Sequence, residues 1–267
     1  MPMKLELLAE DRNATRSNAI LFVHGAWHGA WCWEKFLPYF AQHGYAAYAL
    51  SLRGHGASDG RDRIRFHSAA KGYVADVAAV VQEIGRPTIL VGHSMGGYVV
   101  QKYLEKNSAP AAILLASIPV SGILGFGLRY AKRHPWDFLK AHLTLDLGKF
   151  LGTPELAHDS LFSAIPDEEL MRHFHRLQPE SFVTELETLG LNLPKPRKVR
   201  AKKTPMLVLA AEKDTVFSVK EERRTARAYA VEDTMKIFPG MAHDMMLEPD
   251  WQQVADAMLE WMHGHNL

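Results

Sequence analysis

The sequence predicts an α/β fold, with a mostly parallel central sheet flanked by helices and an inserted helical cap. Continuous apolar runs alternate with helical patterns over the first 117 residues, which is typical of strands buried on both faces of a parallel sheet. One of these runs passes through a glycine-rich turn directly into a helix. The alternation stops near residue 118 and resumes near residue 204. We therefore expect a core of residues 1–117 and 204–267, interrupted by a cap of residues 118–203.

The elements of the first part follow from these runs. An alternating segment at residues 5–8 predicts an edge strand, and the next apolar runs predict buried strands. Helices fill the intervals, because apolar residues recur there at helical spacing. The expected strands are residues 5–8, 19–23, 45–50, 88–91 and 111–116, and the expected helices are residues 31–43, 73–84 and 98–106.

The later part predicts helices first and then a return to the sheet. The cap should contain helices, the first of them interrupted by Pro135. The run 195–203 holds six basic residues, and reads either as a solvated linker to the sheet or as an anion-binding patch. The expected cap helices are residues 127–142, 167–177 and 180–189, followed by strands 206–210 and 234–238 and helices 219–230 and 251–263.

Composition limits the functional classes. A formal net charge of +1 gives no reason to expect nucleic acid as a partner. The single cysteine, Cys32, excludes an intrachain disulfide framework and fits a reducing compartment. The first residues lack the apolar core of a signal peptide, and no run is long enough for a membrane span. We therefore expect a soluble cytoplasmic protein.

The segment GHSMGG, residues 92–97, is the most informative motif. A strand that turns sharply into a helix exposes the residue at the turn, Ser94, beside the unpaired N–H groups of the helix start. Glycines on both sides permit so tight a bend. This G-x-S-x-G pattern resembles the nucleophile elbow of the α/β-hydrolase fold, which implies a serine nucleophile at Ser94.

A second motif narrows the resemblance. Residues 24–33 (HGAWHGAWCW), together with GHSMGG, are similar to the small plant-type methylesterases and hydroxynitrile lyases and to their bacterial relatives. The specific likeness covers about the first 120 residues and a short stretch at residues 243–249. The lyases of this group carry a lysine directly after the catalytic histidine. This sequence has Asp244 there, which argues against cyanogenesis.

The resemblance implies a catalytic triad in the order Ser, acid, His. Two loops that follow predicted strands supply the candidates, Asp214 and His243, so both should lie at the carboxyl edge of the sheet with Ser94. Glu212 is the other acid of the first loop and fits the pattern less well. Asp244 neighbours His243 in sequence and would not readily face its inner ring nitrogen.

The resemblance also implies two backbone donors for the oxyanion that develops during acyl transfer. One is the N–H of Met95, directly after the nucleophile, and the other is the N–H of Ala26. The cap is rich in aromatic residues, most of which should pack internally, while a few line an apolar pocket. The substrate-contacting candidates are Trp27, Phe126, Tyr130 and Trp136.

The expected function is hydrolysis of a small or medium carboxylic ester through an acyl-enzyme on Ser94. This chemistry requires no metal and no organic cofactor, and its partner is a small-molecule ester. A thioesterase or amidase, or a perhydrolase or C–C hydrolase, could use the same triad. A small-molecule receptor of the same fold is the rival from another class. The pattern indicates no oligomeric state.

Overall fold

A computed structural model describes residues 3–267 of the chain; Met1 and Pro2, the start of the predicted core, lie outside the described residues. Seven strands form one sheet, in the spatial order β1-β3-β2-β4-β5-β6-β7. All neighbouring strands pair in parallel except β1, which pairs antiparallel with β3 at the edge. The strands are β1 (Glu6–Glu10), β2 (Ala19–Val23), β3 (Ala46–Ser51), β4 (Thr88–His93), β5 (Ala112–Leu115), β6 (Met206–Ala211) and β7 (Lys236–Phe238).

Eleven α-helices occur in the described part of the chain. Most of the longer ones connect parallel strands, as right-handed crossovers require. They are α1 (Phe36–Gln42), α2 (Val74–Ile84), α3 (Met95–Leu104), α4 (Leu124–Arg133), α5 (Pro135–Leu143), α6 (Pro154–Leu161), α7 (Asp167–Phe174), α8 (Phe182–Leu186), α9 (Pro196–Arg200), α10 (Val219–Tyr229) and α11 (Trp251–Gly264).

The sheet separates two apolar cores. Alternate residues of β2 point to opposite faces, so Phe22 packs on one side and Leu21 on the other, both fully buried. Helices α1 and α11 cover the first face, and α2, α3 and α10 cover the second. The predicted α/β class is therefore confirmed, and the parallel strands place their carboxyl ends at one edge.

The first expected helix and the last expected strand differ in detail from the structure. The expected helix 31–43 divides into a short 3-10 turn, Ala30–Trp33, and α1. Pro38 explains the division, because it has no N–H to donate to the carbonyl of residue 34 and therefore lies in the first turn of α1. The expected last strand begins two residues later, at Lys236, because Glu232–Thr234 form a 3-10 turn.

Regular structure between β5 and β6 is helical throughout, from α4 to α9. The expected break at Pro135 separates α4 from α5. Helix α6 was not predicted. The basic run includes α9, whose Val199 is buried against the second core, so it is more than a solvated linker. Within residues 3–267, no helix has both the length and the apolar character needed to cross a membrane.

Candidate active site

Ser94 occupies the turn between β4 and α3. Its backbone has φ 50° and ψ −116°, a combination that L-residues rarely adopt. The surroundings hold it there, since its N–H donates to the Leu115 carbonyl oxygen at 3.1 Å and its own carbonyl oxygen accepts from Ile118 N–H at 3.0 Å. The strained turn leaves the side chain at the wall of a cavity, at 6% exposure.

The two glycines of the motif make this turn possible. A Cβ on Gly92 would lie 2.5 Å from the Gly96 carbonyl oxygen. A Cβ on Gly96 would lie 2.6 Å from the carbonyl oxygen of His24 and would meet that of Val23 as well. Only residues without a Cβ therefore let α3 start so close to β4 and β2.

Asp214 and His243 form a buried pair at the same edge of the sheet. Asp214 lies three residues after β6 and His243 five residues after β7. The ring Nδ1 of His243 is 2.8 Å from Oδ2 of Asp214. The other carboxylate oxygen accepts from the backbone N–H groups of Val216 at 2.7 Å and Phe217 at 2.9 Å, so the acid is fixed in orientation.

Ser94 and His243 are not hydrogen-bonded to each other in this structure. The His243 ring packs against Phe217, with centroids 5.4 Å apart, and Phe217 and Ser94 line the same cavity. Hydrogen bonds of this kind often tighten only when substrate is bound. The acid that orients the His243 ring is already in place.

The charges around His243 favour its protonated form. Burial alone lowers its pKa, but the charge and hydrogen bond of Asp214, with a smaller contribution from Asp244, outweigh burial and raise the pKa above its usual value. His93 packs on the same ring at 4.8 Å between centroids. Burial and the nearby charge of His243 lower the pKa of His93 to about 3, so His93 remains neutral.

Asp244 belongs to a second buried network and not to the pair itself. Its Oδ2 lies 3.0 Å from Nε2 of His28, and its Oδ1 is 3.6 Å from Nε2 of His93. His93, His243 and Asp244 are the one group of three potential metal ligands within residues 3–267. His243 Nδ1 and Asp244 Oδ2 already contact Asp214 and His28, and we assign no metal to this group.

Ala26 and Met95, the two predicted backbone donors, line the same cavity as Ser94. The N–H of Met95 begins α3 and that of Ala26 lies in the loop after β2, and neither donates to another group of the described chain. The Ala26–Trp27 peptide is held from both sides. Nδ1 of His28 donates to the Ala26 carbonyl oxygen at 2.7 Å, and Glu180 accepts from Trp27 N–H at 3.4 Å.

The cavity at Ser94 has a volume of about 60 Å³ and opens to solvent. Its wall is mostly apolar. Most of its polar groups come from residues 180–188, which form the segment around α8. The lining residues are Ala26, Trp27, Ser94, Met95, Ile118, Ile123, Phe126, Leu147, Phe150, Glu180, Ser181, Thr184, Glu185, Thr188, Val216 and Phe217.

The four predicted substrate contacts divide into two pairs. Trp27 and Phe126 line the cavity. Tyr130 does not, because its ring is buried within the helical segment and its hydroxyl donates to the Phe150 carbonyl oxygen at 2.7 Å. Trp136 is 72% exposed near the start of α5, outside the cavity wall. Tyr130 and Trp136 therefore do not line the cavity at Ser94.

Sequence reasoning missed the polar side of the cavity. Ser181, Thr184, Glu185 and Thr188 recur at helical spacing and all line it, as does the preceding Glu180. This polar stripe in an otherwise apolar pocket was visible in the sequence. Its meaning depended on how α8 packs over the sheet edge, which spacing alone does not give.

A further buried acid lies behind Asp214. Glu222 on α10 is fully buried, and neither of its carboxyl oxygens makes a hydrogen bond within the described residues. Burial raises the pKa of Glu222 well above its usual value, and the negative charge of Asp214 raises it further. Its neutral form is thus favoured, which avoids a second negative charge beside the Asp214–His243 pair.

The geometry can be compared with known proteins. A monoacylglycerol lipase of Mycolicibacterium smegmatis is 27% identical over 92% of this chain and 88% of its own. A probable esterase of rice, Oryza sativa subsp. indica, is 30% identical over 56% of this chain and 62% of its own. The structure of an esterase from Thermogutta terrifontis superposes with a TM-score of 0.76 at 18% identity, covering 99% of this chain and 95% of that one.

A family model matches most of the chain. The model described as the alpha/beta hydrolase family matches residues 20–257, which include the elbow serine and the Asp214–His243 pair. The seven-stranded sheet agrees with that fold and confirms the fold expected from the elbow motif. The chain belongs to the alpha/beta hydrolase family.

Proposed function

We propose that this protein hydrolyses carboxylic esters through an acyl-enzyme on Ser94. His243 removes the proton from Ser94 Oγ as that oxygen attacks the ester carbonyl. Asp214 holds the ring and stabilises the imidazolium that forms. The N–H groups of Ala26 and Met95 donate to the oxyanion, and His243 then gives the proton to the departing alcohol as the C–O bond breaks.

The second half of the reaction mirrors the first. Water, deprotonated by His243, attacks the acyl carbonyl, and the bond to Ser94 breaks. His243 returns the proton to Ser94 Oγ, which releases the carboxylic acid. The net change is one ester and one water consumed, with one acid and one alcohol formed.

One observation carries this proposal: the buried Asp214–His243 pair, at 2.8 Å, stands at the sheet edge that carries a strained, cavity-lining serine. Each feature costs folding energy, because buried charges and unusual backbone conformations are unfavourable. Family membership supports the same chemistry, as do relatives named as lipase and esterase.

The cavity supports an ester of small or medium size. Its walls are apolar around Phe126 and Phe150, which suits an acyl chain. We also propose that residues 118–203 act as a cap, because residues between β5 and β6 form much of the cavity wall.

The test is chemical labelling and turnover, with Ser94→Ala beside the wild type. A fluorophosphonate probe should label the wild type once, and p-nitrophenyl esters of increasing acyl length should be hydrolysed with an optimum set by the cavity. Ser94→Ala should abolish labelling and reduce kcat by at least about 10⁴-fold, since the nucleophile is lost.

The same assay separates the alternatives. Thioester and amide substrates of matched acyl length report the preferred leaving group, and added hydrogen peroxide reports peracid formation. A single turnover followed by stalling would favour a receptor. Absence of labelling would contradict a serine nucleophile, and labelling retained in Ser94→Ala would locate it elsewhere.

A further inference from the structure

Two carboxyl groups line the cavity at Ser94, and their surroundings differ. Glu180 is fully engaged, because four hydrogen-bonding groups contact its two oxygens. These contacts join the helical segment to the loop after β2. Three of the groups donate, namely Ser181 N–H at 2.6 Å, Tyr73 Oη at 3.2 Å and Trp27 N–H at 3.4 Å, and the fourth is His55 Nε2 at 3.1 Å.

Glu185 is different. Its side chain is only 8% exposed, and Oε1 lies 3.1 Å from Nε2 of His142. Its second oxygen, Oε2, is buried and has no hydrogen-bond partner within residues 3–267. A buried polar atom without a partner is costly and uncommon. Because Glu185 lines the cavity, a bound molecule is the natural partner for this oxygen.

The His142 ring determines what Oε2 can accept. Nδ1 of His142 lies 2.8 Å from the Phe138 carbonyl oxygen, which can only accept, so Nδ1 carries a hydrogen. Nε2 then either accepts a hydrogen bond from a protonated Glu185 Oε1 or, as imidazolium, donates one to the carboxylate. Oε2 is a hydrogen-bond acceptor in both cases, and the pair as a whole is uncharged in both.

The charge balance therefore favours a neutral donor. The hydrogen bond between His142 Nε2 and Glu185 Oε1 at 3.1 Å requires a proton between the two atoms. Burial raises the pKa of Glu185, while the charge and hydrogen bond of His142 oppose that rise. A carboxylate already matched by His142 offers little to a cation. No lysine or arginine lines the cavity in the described chain, so a substrate with a free carboxylate gains no partner there.

From this we infer, resting on the proposed function, that the substrate is an ester with a free hydroxyl group that donates to Oε2 of Glu185. The hydroxyl can belong to the alcohol part or to the acyl part of the ester. Glu185 is then a specificity-determining residue of the site.

The experiment measures kcat/KM for matched ester pairs. The alcohol arm compares 3-hydroxypropyl hexanoate with propyl hexanoate, and the acyl arm compares methyl 6-hydroxyhexanoate with methyl hexanoate. The wild type should favour the hydroxylated member of one arm by about tenfold, the effect of one buried hydrogen bond. The arm that shows the preference identifies the part of the substrate that carries the hydroxyl.

Two substitutions of Glu185 test whether its acceptor oxygen causes the preference for a hydroxyl group. Glu185→Leu removes the acceptor, and the preference should fall to about onefold. Glu185→Gln can donate its amide N–H to His142 Nε2 and turn its carbonyl oxygen to the cavity, so most of the preference should remain. Glu168→Gln on α7, where Glu168 is 91% exposed, is the matched control and should leave every ratio unchanged.

Three outcomes overturn the inference. A wild-type ratio near one in both arms would do so without any variant, and therefore holds even if Glu185→Leu fails to fold. A preference that survives in a folded Glu185→Leu protein would place the hydroxyl elsewhere. A preference for 3-(dimethylammonio)propyl hexanoate that exceeds the preference for 3-hydroxypropyl hexanoate, and that is lost in Glu185→Gln, would show that Glu185 binds a cationic group instead of a hydroxyl group.

Different results would contradict the proposed ester hydrolysis itself. In that case neither plain ester is turned over and no fluorophosphonate labelling depends on Ser94. Hydrolysis of propyl or methyl hexanoate without any hydroxyl preference instead retains the esterase and removes only the role of Glu185.

Discussion

At the residue scale, the chemistry of the site depends on where protons reside. His243 lies between Asp214, which binds its Nδ1, and the ring of His93, which stays neutral because burial lowers its pKa to about 3. Asp244 adds a weaker negative field while bound to His28. Of these neighbours, Asp214 contributes most to the raised pKa of His243, so removing it should change both the rate and its pH dependence.

We predict that Asp214→Asn lowers kcat by roughly 10⁴-fold, because the imidazole is no longer held in the productive tautomer. His243 acts as a base only when neutral, so kcat/KM rises with pH through its pKa. In the wild type that acidic limb should lie above the usual histidine value. In Asp214→Asn burial prevails and the limb should move to lower pH. A pH–rate profile with a p-nitrophenyl ester measures both effects.

Glu212→Gln is the control for that measurement. Glu212 lies in the same loop but is exposed, and it accepts from Gly240 N–H at 2.9 Å instead of contacting the histidine. Its profile should match the wild type. If Glu212→Gln shifts the limb and Asp214→Asn does not, the acid has been assigned to the wrong residue.

Residues of the site differ in how far the sequence could predict them. The places of Ser94, Asp214 and His243 follow from residue type and from the ends of buried strands, which are strong signals. Glu180 and Glu185 gain their positions only when the segment around α8 packs over the sheet, a long-range event without a local signature. Trp136 shows the converse, since aromatic character did not reveal which helix face is buried.

At the element scale, the elbow is a contact between three elements. Strand β4 ends, α3 begins, and β2 lies directly against the first turn of α3. Gly96 is the point of closest approach, and the space is bounded by backbone atoms of Val23 and His24 that belong to a fully buried strand and its end. Side chains can rotate away from a new methyl group, but these carbonyl groups are held in place.

We predict that Gly96→Ala destabilises the protein by about 3 kcal/mol and lowers kcat, because α3 and the Met95 N–H must shift. Gly127→Ala is the matched control. Nothing lies within 4 Å of a Cβ at Gly127, and this residue is inside α4, so alanine should stabilise by about 0.5–1 kcal/mol. Urea unfolding monitored by circular dichroism measures both. Equal effects would contradict the close approach at the elbow.

The elements themselves were unequally predictable. Strands β2 to β6 were expected within one or two residues, because continuous apolar runs between turn signals have few other interpretations. Helix α6 was missed although its start carries a signal, with Thr153 as the N-cap and Pro154 in the first turn. It is short and its apolar face is narrow, so periodicity alone did not indicate it.

At the scale of the whole molecule, buried polar contacts join the segment around α8 to the core. Thr184 Oγ1 donates to the His67 carbonyl oxygen at 3.0 Å and accepts from Ala69 N–H at 3.1 Å. Ser68 Oγ donates to Glu187 at 2.6 Å. Opening the site would break these contacts while the sheet stays folded, whereas global unfolding also exposes the sheet and its two apolar cores.

The reactivity of Cys32 measures global unfolding of the molecule. It is fully buried in the core between the sheet and α1, and burial raises the pKa of its thiol well above the usual value, with the charge of Asp244 raising it further. Thiolate is the reactive form, so the native protein should react with a disulfide reagent such as dithionitrobenzoate only negligibly.

We predict that labelling of Cys32 follows global unfolding. Across a urea titration the labelled fraction of Cys32 should rise as the circular dichroism signal is lost. A saturating ester product or a fluorophosphonate adduct at Ser94 stabilises the native state, so it should move the labelling transition and the circular dichroism transition together to higher urea concentration. Because Cys32 is the only cysteine of the chain, the signal has one source. Fast labelling in the absence of urea would show that the core around Cys32 opens locally while the sheet remains folded.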